Sequence, residues 1–350
     1  MTVAPRSLPE PRNVDPREAP SLAWGVLAPG GIARDFVDGL LRHTGQRVVA
    51  VGSRSRDRAE EFARPRGIAR AYGSYEELVE DPEVEVVYVA APHTEHARLA
   101  ILAIAAGKHV LVEKPLAVTA DEARTIVTAA RAAGVFAMEA MWTRYLPHTD
   151  VARQLLDDGS LGQVRVVTAD FGGATPFDRT SRSYDPGLAG GALLDLGVYA
   201  VSWSVFAIGL PASIVATGEL ATTGVDQQAA LVLTAANGAQ ALLSTGLLAA
   251  TPSTATISGT AARIEVDSPF WSPSGLRVLG LAPEPLVWRD RSGIVGRDGM
   301  VHEAAALARY LADGRVDSPL HPIEEAVATI GVIDEARRQL GYTLAGDTSG

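Results

Sequence analysis

With 350 residues, 47% of them hydrophobic and 21% charged, the chain has the composition of a folded protein with room for two domains. A net charge of −10 without any run of lysines and arginines argues against a nucleic-acid partner, and the absence of cysteine excludes disulfides, thiolate metal sites and a cysteine nucleophile. No uninterrupted apolar run reaches about 18 residues and the first 20 hold no signal-peptide core, so the expectation is a cytoplasmic protein without a membrane partner.

Residues 1–21, rich in Pro, Arg and acidic residues, predict a flexible tail, as does 346–350. From Leu22 to about Glu139 short apolar runs alternate with helical stretches, the pattern of βαβ units and a parallel sheet. Strands are predicted at 23–28, 47–52, 85–90, 109–112 and 135–138, with helices between them. Two helices open with capping boxes, Ser74 with Glu77 and Thr119 with Glu122, and two close at Gly107 and Gly134. After Glu139 the rhythm changes. A helix at 148–158, a strand at 164–171 and a helix at 188–208 precede strands at 213–220, 227–234, 239–247, 253–258, 262–266, 275–280 and 285–289. Asn237-Gly238 is a hairpin turn between two of them. Helices at 301–313 and 322–340 end the pattern. The expected division is a Rossmann domain at 22–140 and, at 141–345, an α/β domain with a mostly antiparallel sheet.

Three motifs carry chemistry. The first strand runs into Ala28-Pro29-Gly30-Gly31-Ile32-Ala33, which matches the phosphate-binding turn at Gly30 and Ala33 but lacks its first glycine. The second strand ends at Ser53 and Arg54, with Arg58 following, where an NAD-binding unit usually has an acid. Hydroxyl and guanidinium groups suit the 2′-phosphate of NADP, so NADP is expected over NAD, although a solvated turn also explains the arginines. The strand at 109–112 stops on Glu113 and Lys114, fixed by Pro115. Parallel sheets bind ligands beyond the carboxyl ends of their strands, so Lys114 either points into a ligand crevice or simply ends a strand in solvent. In Gly190-Gly191-Ala192-Leu193-Leu194-Asp195-Leu196-Gly197-Val198-Tyr199, Asp195 and Tyr199 lie one helical turn apart. They are a buried satisfied pair or two groups acting on one substrate, the tyrosine being a general acid if a lysine cation stabilises its phenolate. No compact metal-ligand cluster is apparent, and none is expected.

Taken in order, WGVLAPGGIA, VGSRSRDRA, VYVAAPHTEHARLAILAIAAGKHVLVEKPL, MEAMWTRYLP and AGGALLDLGVYAV resemble the Gfo/Idh/MocA oxidoreductases over about residues 22–345. The likeness is greatest to the branch of dimeric dihydrodiol dehydrogenase, glucose-fructose oxidoreductase and 1,5-anhydrofructose reductase. It implies Lys114 and Tyr199 as a catalytic pair supported by Asp195, and a Lys114–Pro115 bond that is often cis. It also implies a cofactor site that includes Ala91, Pro92, His93, His96 and Glu113. His93 replaces a usual asparagine and either touches the cofactor or starts a helix, while His96 is either a ligand or a structural histidine. Trp142, Arg144, Arg182, Tyr184 and Trp271 become candidates for the substrate pocket, with simple packing as their alternative. The implied activity is NADP-dependent hydride transfer at a hydroxyl or carbonyl carbon of a sugar, sugar derivative or cyclic diol, in a homodimer or homotetramer joined through the second sheet. An enzyme that never releases its NADP, and a non-catalytic dinucleotide-binding regulator, stand as alternatives.

Overall fold

A computed structural model describes residues 7–13 and 15–342. They fall into two compact units, one comprising 15–145 and 294–327, the other 7–13, 146–293 and 328–342.

The first unit alternates β1 (Ala23–Leu27), α1 (Gly31–His43), β2 (Arg47–Gly52), α2 (Arg56–Ala63), β3 (Arg70–Tyr72), α3 (Tyr75–Val79), β4 (Val86–Val89), α4 (His96–Ala105), β5 (His109–Glu113), α5 (Ala120–Ala133) and β6 (Ala137–Ala140). The six strands form one parallel sheet in the order β3-β2-β1-β4-β5-β6, the Rossmann arrangement. β1 and β4 are buried along their whole length, as expected for strands covered by helices on both faces. The chain re-enters this unit in α8 (Val301–Ala312) and in the start of α9 (Ile323–Leu340). That corrects the expected boundary, which put residues 294–327 in the second domain. The cause is the apolar face of α8, where Val301, Ala304, Leu307 and Ala308 are buried and the helix packs on α1.

The second unit is built on an eight-stranded sheet formed by β7 (Val164–Gly172), β8 (Pro211–Leu220), β9 (Asp226–Ala235), β10 (Gln240–Gly246), β11 (Ala255–Gly259), β12 (Arg263–Val266), β13 (Gly275–Leu279) and β14 (Leu286–Arg289). Its order is β14-β13-β12-β11-β7-β10-β9-β8, antiparallel throughout except for the pair β7 and β10. α6 (Pro147–Asp157) precedes it. α7 (Val198–Ile208) lies on its inner face against β7 and β10. The segment Pro186–Ile208 has the length and composition of a membrane span, and it is the core helix of this unit, mostly buried. On β9 the side chains alternate, with Ala229, Leu231 and Leu233 facing the core. The outer face carries Val232, with Val215 and Leu242 opposite it on the neighbouring strands, all three exposed.

The expected N-terminal tail is corrected where it is described. The Arg12 backbone N–H and guanidinium both reach Asp150 at 2.7 Å, and the Gln154 amide donates to the Glu10 carbonyl at 2.8 Å. Asp15 caps a short turn at Pro16–Glu18, and Ala19 is buried with Ala305 and Ala308. Residues 1–6 and the other expected tail, 346–350, lie outside the described residues.

Candidate active site

In the Rossmann unit the candidate residues gather where the sheet presents its carboxyl edge. β1 ends at Ala28, whose φ of +62° is the left-handed conformation that the missing glycine of the motif would have supplied without strain. Gly30 stands at the N-cap of α1 with no side-chain bond to the first turn, and Gly31, Ile32 and Ala33 follow as that turn. The free amides there are a ready anion site. A Cβ added to Gly31 would meet nothing within 4 Å and one on Gly30 only the Ala28 carbonyl at 3.9 Å, so the space before the loop is open to a ligand's phosphates. The residues present therefore fit a dinucleotide. At the end of β2, Ser53 is buried and its hydroxyl accepts the Ser55 N–H at 3.3 Å. Arg54 and Arg58 are exposed, while Arg56 is tied to the Ala71 carbonyl and Glu77.

Around β5 the carboxyl edge is tightly organised. The Lys114–Pro115 peptide is cis. Lys114 is half-buried, and its N–H donates to Glu113 Oε2 at 3.1 Å. Glu113 also accepts the Tyr88 hydroxyl. Burial pushes the Glu113 carboxyl up, against the pull of Tyr88 and Lys114. Glu139, at the end of β6, accepts the Leu116 N–H at 2.8 Å on one oxygen and meets His321 Nε2 at 2.8 Å on the other. His96 is fully buried, its ring nitrogens 2.7 Å from the Pro115 carbonyl and 2.9 Å from that of Ala91. Burial lowers its pKa. The structural alternative for His96 is thus the one observed, because both nitrogens are engaged by the chain and the ring ties the Ala91-Pro92 loop to the lysine loop. His93 is buried beside it, the two rings 5.6 Å apart. Glu113 is likewise a buried support of the lysine loop.

Two of the candidate residues that follow β6 are buried. Trp142 is buried, and the Arg144 guanidinium, 3% exposed, is paired with Glu325 and donates to the Leu320 carbonyl at 3.2 Å. Burial raises the Glu325 carboxyl, but His321 and Arg144 together outweigh it and hold the group at about 2. Arg144 is therefore corrected from a substrate-facing cation to half of a buried ion pair.

In the second unit, the expected continuous helix at 188–208 is interrupted. A short turn at Pro186–Leu188 is followed by a π-turn at Leu193–Gly197, and only then by α7. Such π segments recur at functional sites because they re-aim side chains. Asp195 lies in the π-turn and pairs with Arg182 at 2.8 Å at the rim. Tyr199 stands in the first turn of α7. Its ring is 5.6 Å from that of Phe171 and 6.0 Å from that of Trp271, which stack on each other at 4.9 Å. Trp271 thus lies beside Tyr199, and Phe171, at the end of β7, carries no sequence signal because its strand pattern shows only an ordinary aromatic. Tyr184 is corrected. It is fully buried among Ala192, Val225, Leu247 and Tyr342, its hydroxyl donating to the Thr175 carbonyl at 3.1 Å, so it belongs to the core.

A Rossmann unit with a glycine loop at the head of its first helix, followed by a mostly antiparallel open-sheet unit, defines a two-domain dinucleotide-binding oxidoreductase. Residues 22–141 match the Gfo/Idh/MocA oxidoreductase family, NAD-binding Rossmann fold, and residues 149–265 match the Gfo/Idh/MocA C-terminal domain. The chain belongs to the Gfo/Idh/MocA oxidoreductases. It is 38% identical over 336 residues to the trans-1,2-dihydrobenzene-1,2-diol dehydrogenase of Mus musculus, covering 93% of this chain and 99% of the relative. Among solved structures it resembles the aldose-aldose oxidoreductase of Caulobacter crescentus in fold, with a TM-score of 0.82 at 24% identity over 91% and 97% of the two chains. A 3-ketoreductase of Actinomadura kijaniata, solved with NADP and TDP-benzene, superposes with a TM-score of 0.78 at 26% identity over 91% and 98%.

Proposed function

We propose that the protein is an NADP-dependent dehydrogenase acting on a hydroxyl group carried by a ring, a cyclic trans-diol or a sugar. The observation that carries this reading is the setting of Tyr199, whose ring lies beside the stacked rings of Phe171 and Trp271. Aromatic faces pack against the apolar face of a cyclic substrate, and a tyrosine among them is placed to handle the proton of its hydroxyl. The relatives named for a cyclic diol, matched over nearly the whole chain, support the same class. The exposed Arg54 supports NADP, since a guanidinium pairs with a 2′-phosphate.

The bound nicotinamide supplies the chemistry of accepting or donating a hydride. The Gly30-Gly31 turn binds the pyrophosphate with its amides. Lys114 holds the substrate oxygen and stabilises its negative charge. In the oxidising direction Tyr199, as the phenolate that the Lys114 cation would stabilise, would take the proton of the substrate O–H while the C–H hydride passes to the nicotinamide, and Asp195 would orient that exchange. Glu113, Glu139 and His96 keep the lysine loop in register. The test is nicotinamide absorbance followed with the purified protein, each cofactor in turn, across trans-dihydrodiols, sugars, anhydrosugars and dicarbonyls. Turnover of a cyclic hydroxyl compound with NADP is expected, and a panel silent with both cofactors would sink the reading.

A further inference from the structure

The helix that carries Tyr199 starts on a buried acid. Asp226, the first residue of β9, is 1% exposed. Its Oδ2 accepts the N–H of Leu193 at 2.7 Å, the first residue of the π-turn, and the amides of Ala192 and of Asp226 itself also favour its charged form. All of these neighbours are donors, which suits a carboxylate and suits neither a protonated acid nor an amide. Gly191 is what lets the acid come so close. Its φ is +117°, and a Cβ there would lie 2.2 Å from Asp226 Oδ1. The same stretch is fastened on its other side, where the Gly191 N–H donates to the Ser183 carbonyl at 2.9 Å and Thr245 Oγ1 reaches the Ala192 carbonyl at 3.4 Å. From this anchor Asp195 follows after two residues and Tyr199 after six.

We propose that Asp226 is a positioning residue, a buried acceptor that fixes the backbone at Gly191–Leu193 and through it the placement of Asp195 and Tyr199 for reaction. The inference rests on the role given to Tyr199 above. The titratable and charged groups that bear on Asp226 are Arg337 of α9 and Tyr342, whose hydroxyl reaches the Gly190 carbonyl at 3.4 Å. Burial pushes the Asp226 carboxyl up to about 7, against the pull of the Leu193 amide and Arg337. Below that pH the acid gains a proton among donors and the π-turn loses the charge that strengthens its acceptor. Turnover therefore falls on the acid side while the cofactor, bound by the other unit, is held as before.

The experiment compares kcat, KM and their pH profiles for the full-length wild type, Asp226→Asn, Gly191→Ala and Tyr199→Phe. Asp226→Asn should lower kcat by about 10- to 100-fold, the scale of a small misplacement of a reacting group, with the KM for NADP unchanged. It should also lose the acid limb near pH 7, a change that a loss of general stability would not produce. Gly191→Ala, which crowds the carboxylate, should lower kcat alike, and it decides the matter if Asp226→Asn does not fold. An Asp226→Asn enzyme within twofold of wild type with its acid limb intact, beside an impaired Tyr199→Phe, overturns the positioning role alone. A Tyr199→Phe enzyme that is also unimpaired overturns the proposed function with it.

Discussion

Glu303 gives the sharpest test of the electrostatics around the lysine loop. It lies on α8, is 0% exposed, and neither carboxyl oxygen finds a hydrogen-bond donor among the described residues. Burial pushes its carboxyl well above the ordinary value of 4.5, and the nearby Glu113 and Glu139 push it the same way. A group whose pKa is higher folded than unfolded takes up a proton on folding. Its contribution to stability is complete below the unfolded value and is lost as pH rises through the folded one. As long as the folded carboxyl keeps its proton while the unfolded one has lost it, each pH unit costs about 1.4 kcal/mol, or roughly 2 kcal/mol from pH 5.5 to 7.0. Glu303→Gln keeps the shape of the protonated acid and abolishes the uptake. Measured by urea unfolding, the stability of the variant relative to wild type should therefore rise by about 2 kcal/mol between pH 5.5 and 7.0. A difference that stays constant over that range would show that Glu303 is ionised in the folded protein and that the reasoning is wrong.

Tyr199→Phe should reduce turnover by about 10²- to 10⁴-fold with little change in cofactor affinity, and Lys114→Met should do at least as much, the two losses failing to add in steady-state kinetics of the double variant. Arg54→Asp should weaken NADP binding by about 1.5–3 kcal/mol by calorimetry, and equal wild-type affinity for NAD and NADP would refute the cofactor assignment. We further propose that the outer sheet face with Val215, Val232 and Leu242 pairs with a second copy. Light scattering should then give an oligomer for the wild type and a monomer for Val232→Glu with Leu242→Lys.

The elements with local signals were legible in the sequence. The hydroxyl caps form as predicted, Ser74 Oγ accepting the Glu77 N–H at 3.1 Å and Thr119 Oγ1 that of Glu122 at 3.2 Å, while the two carboxylates reach one residue further back, to the Gly73 and Val118 N–H groups, and Asn237-Gly238 makes its turn with Gly238 at φ +82°. The lysine at the end of β5 was legible because strand, charge and proline are contiguous. What failed depended on partners remote in sequence. Arg144 read as a cation near a pocket because nothing in its neighbourhood announces Glu325, 181 residues later. Tyr184 read equally as a pocket candidate and as packing because its core is assembled from four separate segments. Asp226 was silent, since an aspartate opening a strand looks like a turn residue until Leu193 is seen 33 residues before it. β3 is only three residues long and offers no period to detect. The π-turn is invisible for another reason, since its apolar pattern is that of the α-helix it interrupts.

Two of the places where the backbone departs from local preference, Ala28 and the π-turn at Leu193–Gly197, are places where chemistry is proposed. Ala28 holds a left-handed conformation that disfavours a side chain by about 1–2 kcal/mol. Strand pairing holds it there, with the Ala28 N–H donating to the Gly52 carbonyl at 3.0 Å and the Ala90 N–H to the Leu27 carbonyl at 3.1 Å. In the second unit the π-turn is held by Asp226 in the same manner. Strain of this kind persists only where its surroundings over-determine it, and strand edges and a buried acid supply that here.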